Sequence, residues 1–213
     1  MSRFPSLLVV SDRRATGGRA LPEVIRESLA GGGRWFQLRE KDLDGGELHA
    51  LASVLAAEIH AHGGRLLVND RIDVAIAAGA DGVVLPVSSF PTDVARRLIG
   101  PERLLARSTH STAEVERAAA EGCDFVLFGP VFATPSKESY GPPQGLERLR
   151  AASAHRIPVV AIGGVTEATA PQALSAGASG VAVIREVISA ESPRDATRRL
   201  LAATRSERER LLP

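Results

Sequence analysis

A chain of 213 residues can bury a full core and fits one domain of the size at which barrels are commonly built. Its formal net charge of +1 gives no bulk field that would favour nucleic acid or an anionic membrane, so any anion site must be local. Cys123 is the single cysteine, which excludes an intrachain disulfide and a cysteine-based metal cluster and fits a reducing compartment. The first apolar run is too short for a signal peptide and no stretch approaches the length of a bilayer span, so a soluble cytoplasmic protein is expected.

Leu7 to Val10 reads as a buried strand, ended by Ser11-Asp12 and a polar, Gly-containing stretch to Arg19. A helix is predicted from about Leu21, with Pro22 acceptable in its first turn and Gly31 to Gly33 as its stop. Trp35 to Leu38 is the second strand, with Arg39, Glu40 and Lys41 just beyond it. From about Gly46 to Ala61, Leu48, Leu51, Ala52, Leu55 and Ile59 form a helical stripe that ends at Gly63-Gly64. Leu66 to Val68 is the third strand, ending in Asn69-Asp70, and a helix with Ile72, Ala75 and Ile76 on one side leads to Gly79. Gly82 to Leu85 is the fourth strand, Pro86 to Ser89 its loop, and a helix runs from Pro91 to about Ile99. Leu104 to Ala106 is the fifth strand, followed by Arg107, Ser108, Thr109 and His110; Ser111 with Glu114 is a capping-box pattern that starts the next helix.

Phe125 to Phe128 is the sixth strand, stopped by Gly129-Pro130. The loop after it is long and carries Thr134, Ser136, Lys137, Tyr140 and Gly141 before helical periodicity returns near Leu146. Hydroxyls and an ammonium gathered on such a loop suit an anionic ligand, although the same residues also describe a solvated loop. A helix from about Leu146 to Ser153 precedes the seventh strand, Val159 to Ile162, which ends in Gly163-Gly164. A helix over roughly Glu167 to Ser175 leads to the eighth strand, Gly180 to Val183, and a charged helix over about Pro193 to Arg205 packs on the outside.

An internal repeat supports the count of eight. GGRWFQL at Gly32, GADGVVL at Gly79, GCDFVLF at Gly122 and GASGVAV at Gly177 each give a helix-ending glycine, two residues and a strand. They precede every second strand at intervals of roughly fifty residues, so the repeating unit is two strand-helix pairs. Eight such units close best as a single-domain (β/α)8 barrel over residues 1–213, with an open doubly wound sheet as the alternative.

A barrel gathers the strand ends at one mouth. Gly163-Gly164 and Ile184-Arg185 then stand where barrels frequently bind phosphate, although a glycine pair also simply permits a turn. Arg39, Lys41, Asn69 and Asp70 fall on neighbouring strands and suit a second anion or polar substrate, or else a structural ion-pair network. His110 precedes a helix start whose dipole disfavours imidazolium, which suits an acid/base role, although a solvent-facing histidine reads the same way. His49, His60, His62 and His155 fall on helices or helix ends away from the mouth.

QLREK at Gln37, NDRID at Asn69, RSTHS at Arg107, DFVLFGPVFATPSK at Asp124 and PVVAIGG at Pro158 occur in this order. Together they resemble the superfamily of thiamine phosphate synthase and the thiazole tautomerase, from about Leu7 to Ile188. The resemblance implies a barrel that binds a small thiazole phosphate, with Gln37, Arg39, Lys41, Asn69 and Asp70 matching the pyrimidine-pyrophosphate site of the synthases. It implies a phosphate end at Ser108, Thr134, Ser136, Lys137, Gly163, Gly164, Ile184 and Arg185. Synthases carry a second carboxylate for Mg²⁺ after the fourth strand, and Ser89 stands in its place here. That loss and the Arg-Ser-Thr-His-Ser sequence resemble the tautomerase branch, in which the matching His110 is the acid/base. The expectation is therefore a metal-independent isomerase. The alternatives are a synthase with Asp70 holding Mg²⁺, or a silent thiazole-phosphate binder. Related barrels suggest self-association. Arg185 stands where the family has a small residue, and it either pairs with the phosphate or blocks it.

Overall fold

The computed structural model describes residues 4–134 and 142–211. The apolar runs form β1 (Leu7–Val10), β2 (Trp35–Leu38), β3 (Arg65–Asn69), β4 (Gly82–Leu85), β5 (Leu104–Thr109), β6 (Phe125–Phe128), β7 (Val159–Ile162) and β8 (Gly180–Val183). Each strand pairs in parallel with the next, and β8 returns to β1 to close the barrel. The helices between and after them are α1 (Leu21–Ala30), α2 (Gly45–Ala61), α3 (Ile72–Ala77), α4 (Thr92–Ile99), α5 (Thr112–Ala120), α6 (Gly145–Ser153), α7 (Ala170–Ser175), α8 (Arg185–Ile188) and α9 (Pro193–Leu211). This is the (β/α)8 barrel expected from the alternation of apolar runs and amphipathic stripes.

Alternate residues of each strand face opposite ways, which splits the core in two. One cluster joins strand residues to the helices, and the other fills the barrel, with Leu8, Leu67, Val84, Leu127, Val160 and Ala182 among its members. Trp35 and Phe125, the first residues of β2 and β6, meet edge to face with ring centroids 6.5 Å apart. The guanidinium of Arg65 lies 5.3 Å from the Trp35 ring. These rings lie at the N-terminal end of the barrel, opposite the C-terminal strand ends where sites of this architecture are built.

The internal repeat has a physical content. Its glycines Gly32, Gly79, Gly122 and Gly177 all take positive φ, the left-handed conformation that turns the chain from helix end to strand. Two of the repeats add an aspartate that caps the preceding strand. Asp81 Oδ2 accepts from Leu66 N at 2.8 Å, and Asp124 Oδ2 accepts from Leu105 N at 2.9 Å. Each carboxylate has a cationic or imidazole neighbour on a helix: Arg96 donates to Asp124 at 2.7 Å, and His60 Nε2 meets Asp81 at 2.9 Å.

The boundaries depart furthest from those read in the sequence at β5, α7 and α9. β5 continues to Thr109 because its polar residues find partners on the strand: Thr109 Oγ1 donates to Leu127 O at 3.0 Å, and Arg107 Nε donates to Thr92 Oγ1 at 3.0 Å. α7 starts at Ala170, because Thr166 and Thr169 cap each other in a turn before it, with amide-to-hydroxyl bonds of 2.8 and 3.3 Å. α9 runs on to Leu211 through a segment with almost no apolar residues. Arg208 there donates to Ser179 O, and Glu207 accepts from both Ser175 and Arg210.

Arg210 and Ser175 hold the Glu207 carboxyl down to about 2 from its ordinary 4.5. A carboxyl depressed in the folded state contributes stability above its unfolded value and loses it as pH falls through the folded one. Glu207→Gln is therefore expected to flatten the loss of thermal stability as pH falls from about 4.5 to about 2. Melting followed by circular dichroism across that range checks it; an unchanged slope would remove Glu207 as a source of acid sensitivity.

Candidate active site

On β2, β3 and β5 the inward positions change from apolar to polar on approaching the mouth. Trp35 is followed by Gln37, Leu67 by Asn69, and Ala106 by Ser108. Gln37 is 3% exposed, and its Nε2 donates to Asn69 Oδ1 at 3.2 Å across the β2–β3 pair. The Gln37 Oε1 has no partner among the described residues. A buried acceptor left unpaired costs roughly 1–3 kcal/mol, a cost that a ligand donor can remove.

Arg39 and Lys41 leave the end of β2, Arg39 half-buried and Lys41 exposed. Neither side chain has a hydrogen bond or ion pair among the described residues, so the structural ion-pair network is not what forms here. Asp70 follows β3 with φ 62, the one non-glycine residue at positive φ among the described residues. Its backbone is pinned on both sides: Asp70 N donates to Val84 O at 3.0 Å, and Asp70 O accepts from Ile72 N at 3.2 Å. The Asn-Asp dipeptide is the sequence signal for this turn, because short polar side chains tolerate the left-handed region best. The carboxylate is exposed and makes no hydrogen bond or salt bridge among the described residues; the Arg71 guanidinium feels its charge but bonds to Asp73 at 2.9 and 2.6 Å.

This donor set bears on Mg²⁺. Among the described residues no three His, Cys, Asp or Glu side chains gather as a protein cage. Magnesium is commonly held by one or two carboxylates with substrate phosphates and water supplying the rest. Asp70, exposed at the end of the strand next to the one that leads into Arg39 and Lys41, fits such a shared ion as the protein's ligand.

His110 stands at the mouth after β5, and its Nδ1 lies 2.6 Å from Gly129 O. A carbonyl only accepts, so Nδ1 carries the proton and a neutral ring presents Nε2 as an acceptor. The expected capping box is displaced by one residue. Ser111 Oγ accepts from Glu114 N at 3.3 Å, and the Glu114 carboxylate reaches back to the amide of His110 at 2.5 Å. His49 and His60 lie on α2, and His62 at its end, where its Nδ1 meets Glu58 O at 2.9 Å.

The loops after β6 and β7 are zipped together. Val131 N donates to Ile162 O at 2.9 Å, and Phe132 N to Gly163 O at 3.0 Å. Gly163 and Gly164 take φ of 93° and 65°, and Thr169 Oγ1 donates to Gly164 O at 3.2 Å. A side chain on either glycine would strike the Pro130–Ala133 backbone, so packing requires both glycines whatever else they do. Ile184 precedes α8 and Arg185 begins it, exposed and without a side-chain partner among the described residues. Thr134 closes the described part of the β6 loop; Ser136 and Lys137 lie outside the described residues.

The residues matched by the family described as thiamine monophosphate synthase are 7–187. The chain belongs to that family. It is 45% identical to the thiamine-phosphate synthase of Methanoculleus marisnigri, with 96% of this chain and 94% of that protein covered. It is 44% identical to the thiamine-phosphate synthase of Roseiflexus castenholzii, covering 92% and 89%. The solved thiamine phosphate pyrophosphorylase of Pyrococcus furiosus superposes with a TM-score of 0.87 at 34% identity, over 95% of this chain and 96% of that one. The chain is accordingly an enzyme of a thiamine-biosynthesis family.

These relatives overturn the isomerase expectation. The tautomerase reading rested on Ser89 and on the sequence around His110, and synthases are what this chain resembles over nearly all its length. The error was to treat a missing carboxylate as a missing metal site, although a pyrophosphate group can itself complete the magnesium sphere. Ser89 lies in the β4–α4 loop, where its amide donates to Pro86 O at 3.1 Å, and it lines a hollow with Arg107, Glu114, Arg117 and Glu121. Burial pushes the Cys123 thiol up, which disfavours the thiolate. Among the described residues no helix is long and apolar enough to cross a membrane.

The sequence reading passed over Ser11 and assigned no role to Glu40. Both prove to be buried beneath the rim, at 2% and 6% exposure. An acidic residue between two cations, in Arg39-Glu40-Lys41, was the available signal.

Proposed function

We propose that this chain is a thiamine-phosphate synthase, a transferase that joins pyrimidine pyrophosphate to a thiazole phosphate. The observation that carries the reading is the cluster at the ends of β2 and β3: an orphaned Gln37 Oε1, an Asn69 amide, two unpaired cations and an unpaired Asp70 carboxylate. The reaction makes a bond from the thiazole nitrogen to the methylene carbon of the pyrimidine while the bond from that carbon to pyrophosphate breaks. The leaving group takes the electron pair, so the enzyme must stabilise growing negative charge on its oxygens.

Arg39 and Lys41 supply positive charge for those oxygens, and Gln37 with Asn69 orients the pyrimidine through its ring nitrogen and amino group. Asp70 would hold magnesium, which would supply further positive charge for the departing group. The thiazole phosphate is held across the mouth by Ser108, Thr134, the Gly163-Gly164 backbone, Ile184 and Arg185; Ser136 and Lys137, which the sequence also assigns to the phosphate, lie outside the described residues. The exposed, unpaired position of Arg185 favours pairing with the phosphate over blocking it. A displacement by an aromatic nitrogen moves no proton in the bond-forming step, so His110 serves here as a contact through Nε2, not as a proton carrier.

The purified chain with pyrimidine pyrophosphate, a thiazole phosphate and Mg²⁺ is expected to release thiamine phosphate and pyrophosphate in equal amounts, and a chelator is expected to stop it. A folded protein that binds both substrates and makes no thiamine phosphate would overturn the assignment.

A further inference from the structure

Glu40 sits between the two cations assigned to pyrophosphate, yet it is only 6% exposed and is turned away from any ligand. Its Oε1 accepts from Ser11 Oγ at 2.5 Å and from Arg13 N at 3.1 Å, and its Oε2 lies 3.2 Å from the same amide. Ser11 Oγ in turn accepts from the amide of Arg39 at 2.8 Å, and the Ser11 amide donates to Gln37 O at 2.9 Å. The hydroxyl proton of Ser11 therefore points at Glu40 while its lone pair holds Arg39, which joins the loop after β1 to the loop after β2. A second, outer tie runs from Arg13 and Arg14 to Asp42 at 2.8 and 2.7 Å. The inner tie is buried, so it escapes the screening that weakens the outer one.

By charge alone, a carboxylate in this place opposes an anion site. Its hydrogen bonds give it another task. We propose that Glu40 is a positioning residue, which acts through Ser11 and the Arg13 amide to fix the backbone from which Arg39 and Lys41 reach the pyrophosphate. The proposal rests on the synthase reading for the identity of the anion, and a misplaced cation loses much of its worth because phosphate recognition is directional.

The two possible roles of Glu40 predict opposite signs. The test compares Glu40→Ala, Glu40→Gln and Ser11→Ala in the full chain, with calorimetric binding of inorganic pyrophosphate in the presence of Mg²⁺ and with steady-state kinetics for both substrates. Glu40→Ala is expected to weaken pyrophosphate about tenfold and to raise the KM for pyrimidine pyrophosphate by a similar factor, with the KM for the thiazole phosphate unchanged. Ser11→Ala is expected to do the same to a smaller degree. Glu40→Gln keeps an acceptor for Ser11 and is expected to fall between Ala and the wild type. It also keeps the test open if the Ala variant fails to fold.

Tighter pyrophosphate binding in the Gln and Ala variants would mean that Glu40 is only a repelling charge, which overturns the proposal. Equal increases in both KM values would also overturn it, because they would mark a general loss of structure. If the wild type binds pyrophosphate but makes no thiamine phosphate, the synthase reading fails while the binding comparison still decides the role of Glu40. A wild type without affinity for pyrophosphate overturns both.

Discussion

Asp70→Asn is expected to lower kcat for thiamine phosphate formation by about a hundredfold or more and to raise the Mg²⁺ concentration needed for half-maximal rate. Asparagine is the clean replacement because it accepts the φ of 62° at this position, whereas alanine would add backbone strain to the loss of charge. The carboxylate makes no ion pair or hydrogen bond among the described residues, so the folded state should lose no more than about 0.5 kcal/mol. That separation makes the result readable. A large loss of rate at constant melting temperature assigns Asp70 to the reaction, whereas activity within threefold of wild type, with unchanged metal dependence, would mean that the metal is held without it. Among the described residues no group of three or more His, Cys, Asp or Glu side chains offers an alternative protein cage for the metal.

The architecture was legible in the sequence because barrel strands buried on both faces are short, continuous apolar runs, and the repeat glycines mark where every second one begins. VVAI at β7 and FVLF at β6 have no other reading once Gly and Pro close them. The boundaries that slipped are those where polar residues are satisfied by partners remote in sequence. Arg107 and Thr109 look like loop residues until their hydrogen bonds to Thr92 and Leu127 are known, and the end of α9 has no apolar stripe because Ser175 and Ser179 hold it through polar contacts.

The candidate site could be assembled by the same logic, while the reaction was misread. Gln37, Arg39, Lys41, Asn69 and Asp70 could be brought together from strand adjacency alone, since β2 and β3 are neighbours. What the sequence could not show is which of them are already paired with one another. Among the described residues the side chains of Arg39, Lys41 and Asp70 make no hydrogen bond or salt bridge, which suits the charged ligand of the proposed reaction despite the absent carboxylate at Ser89. The Ser11–Glu40 tie was invisible for a related reason: it crosses 29 residues of sequence, and nothing in a serine after a strand announces its partner.

Gly164→Ala is expected to destabilise the fold by about 2–3 kcal/mol and to raise the KM for the thiazole phosphate at least about tenfold. Two costs add. At φ 65° an alanine carries the left-handed penalty, and its Cβ would sit 2.5 Å from Ala133 O and 2.7 Å from the Phe132 Cβ. The first of these is backbone and cannot swing aside. Gly17→Ala separates the terms, since Gly17 has a φ of 67° with nothing within 4 Å of the added carbon. It should lose only about 1 kcal/mol and leave both KM values alone. The excess at Gly164 then measures the closure of the β6 loop on the β7 loop, which the Val131 and Phe132 amides maintain. If the two variants behave alike, the contact is relieved by a small shift and the glycine pair matters only for its turn. If Gly164→Ala costs stability but leaves the thiazole phosphate KM untouched, the phosphate is held elsewhere on the mouth, and Ile184 with Arg185 becomes the place to look.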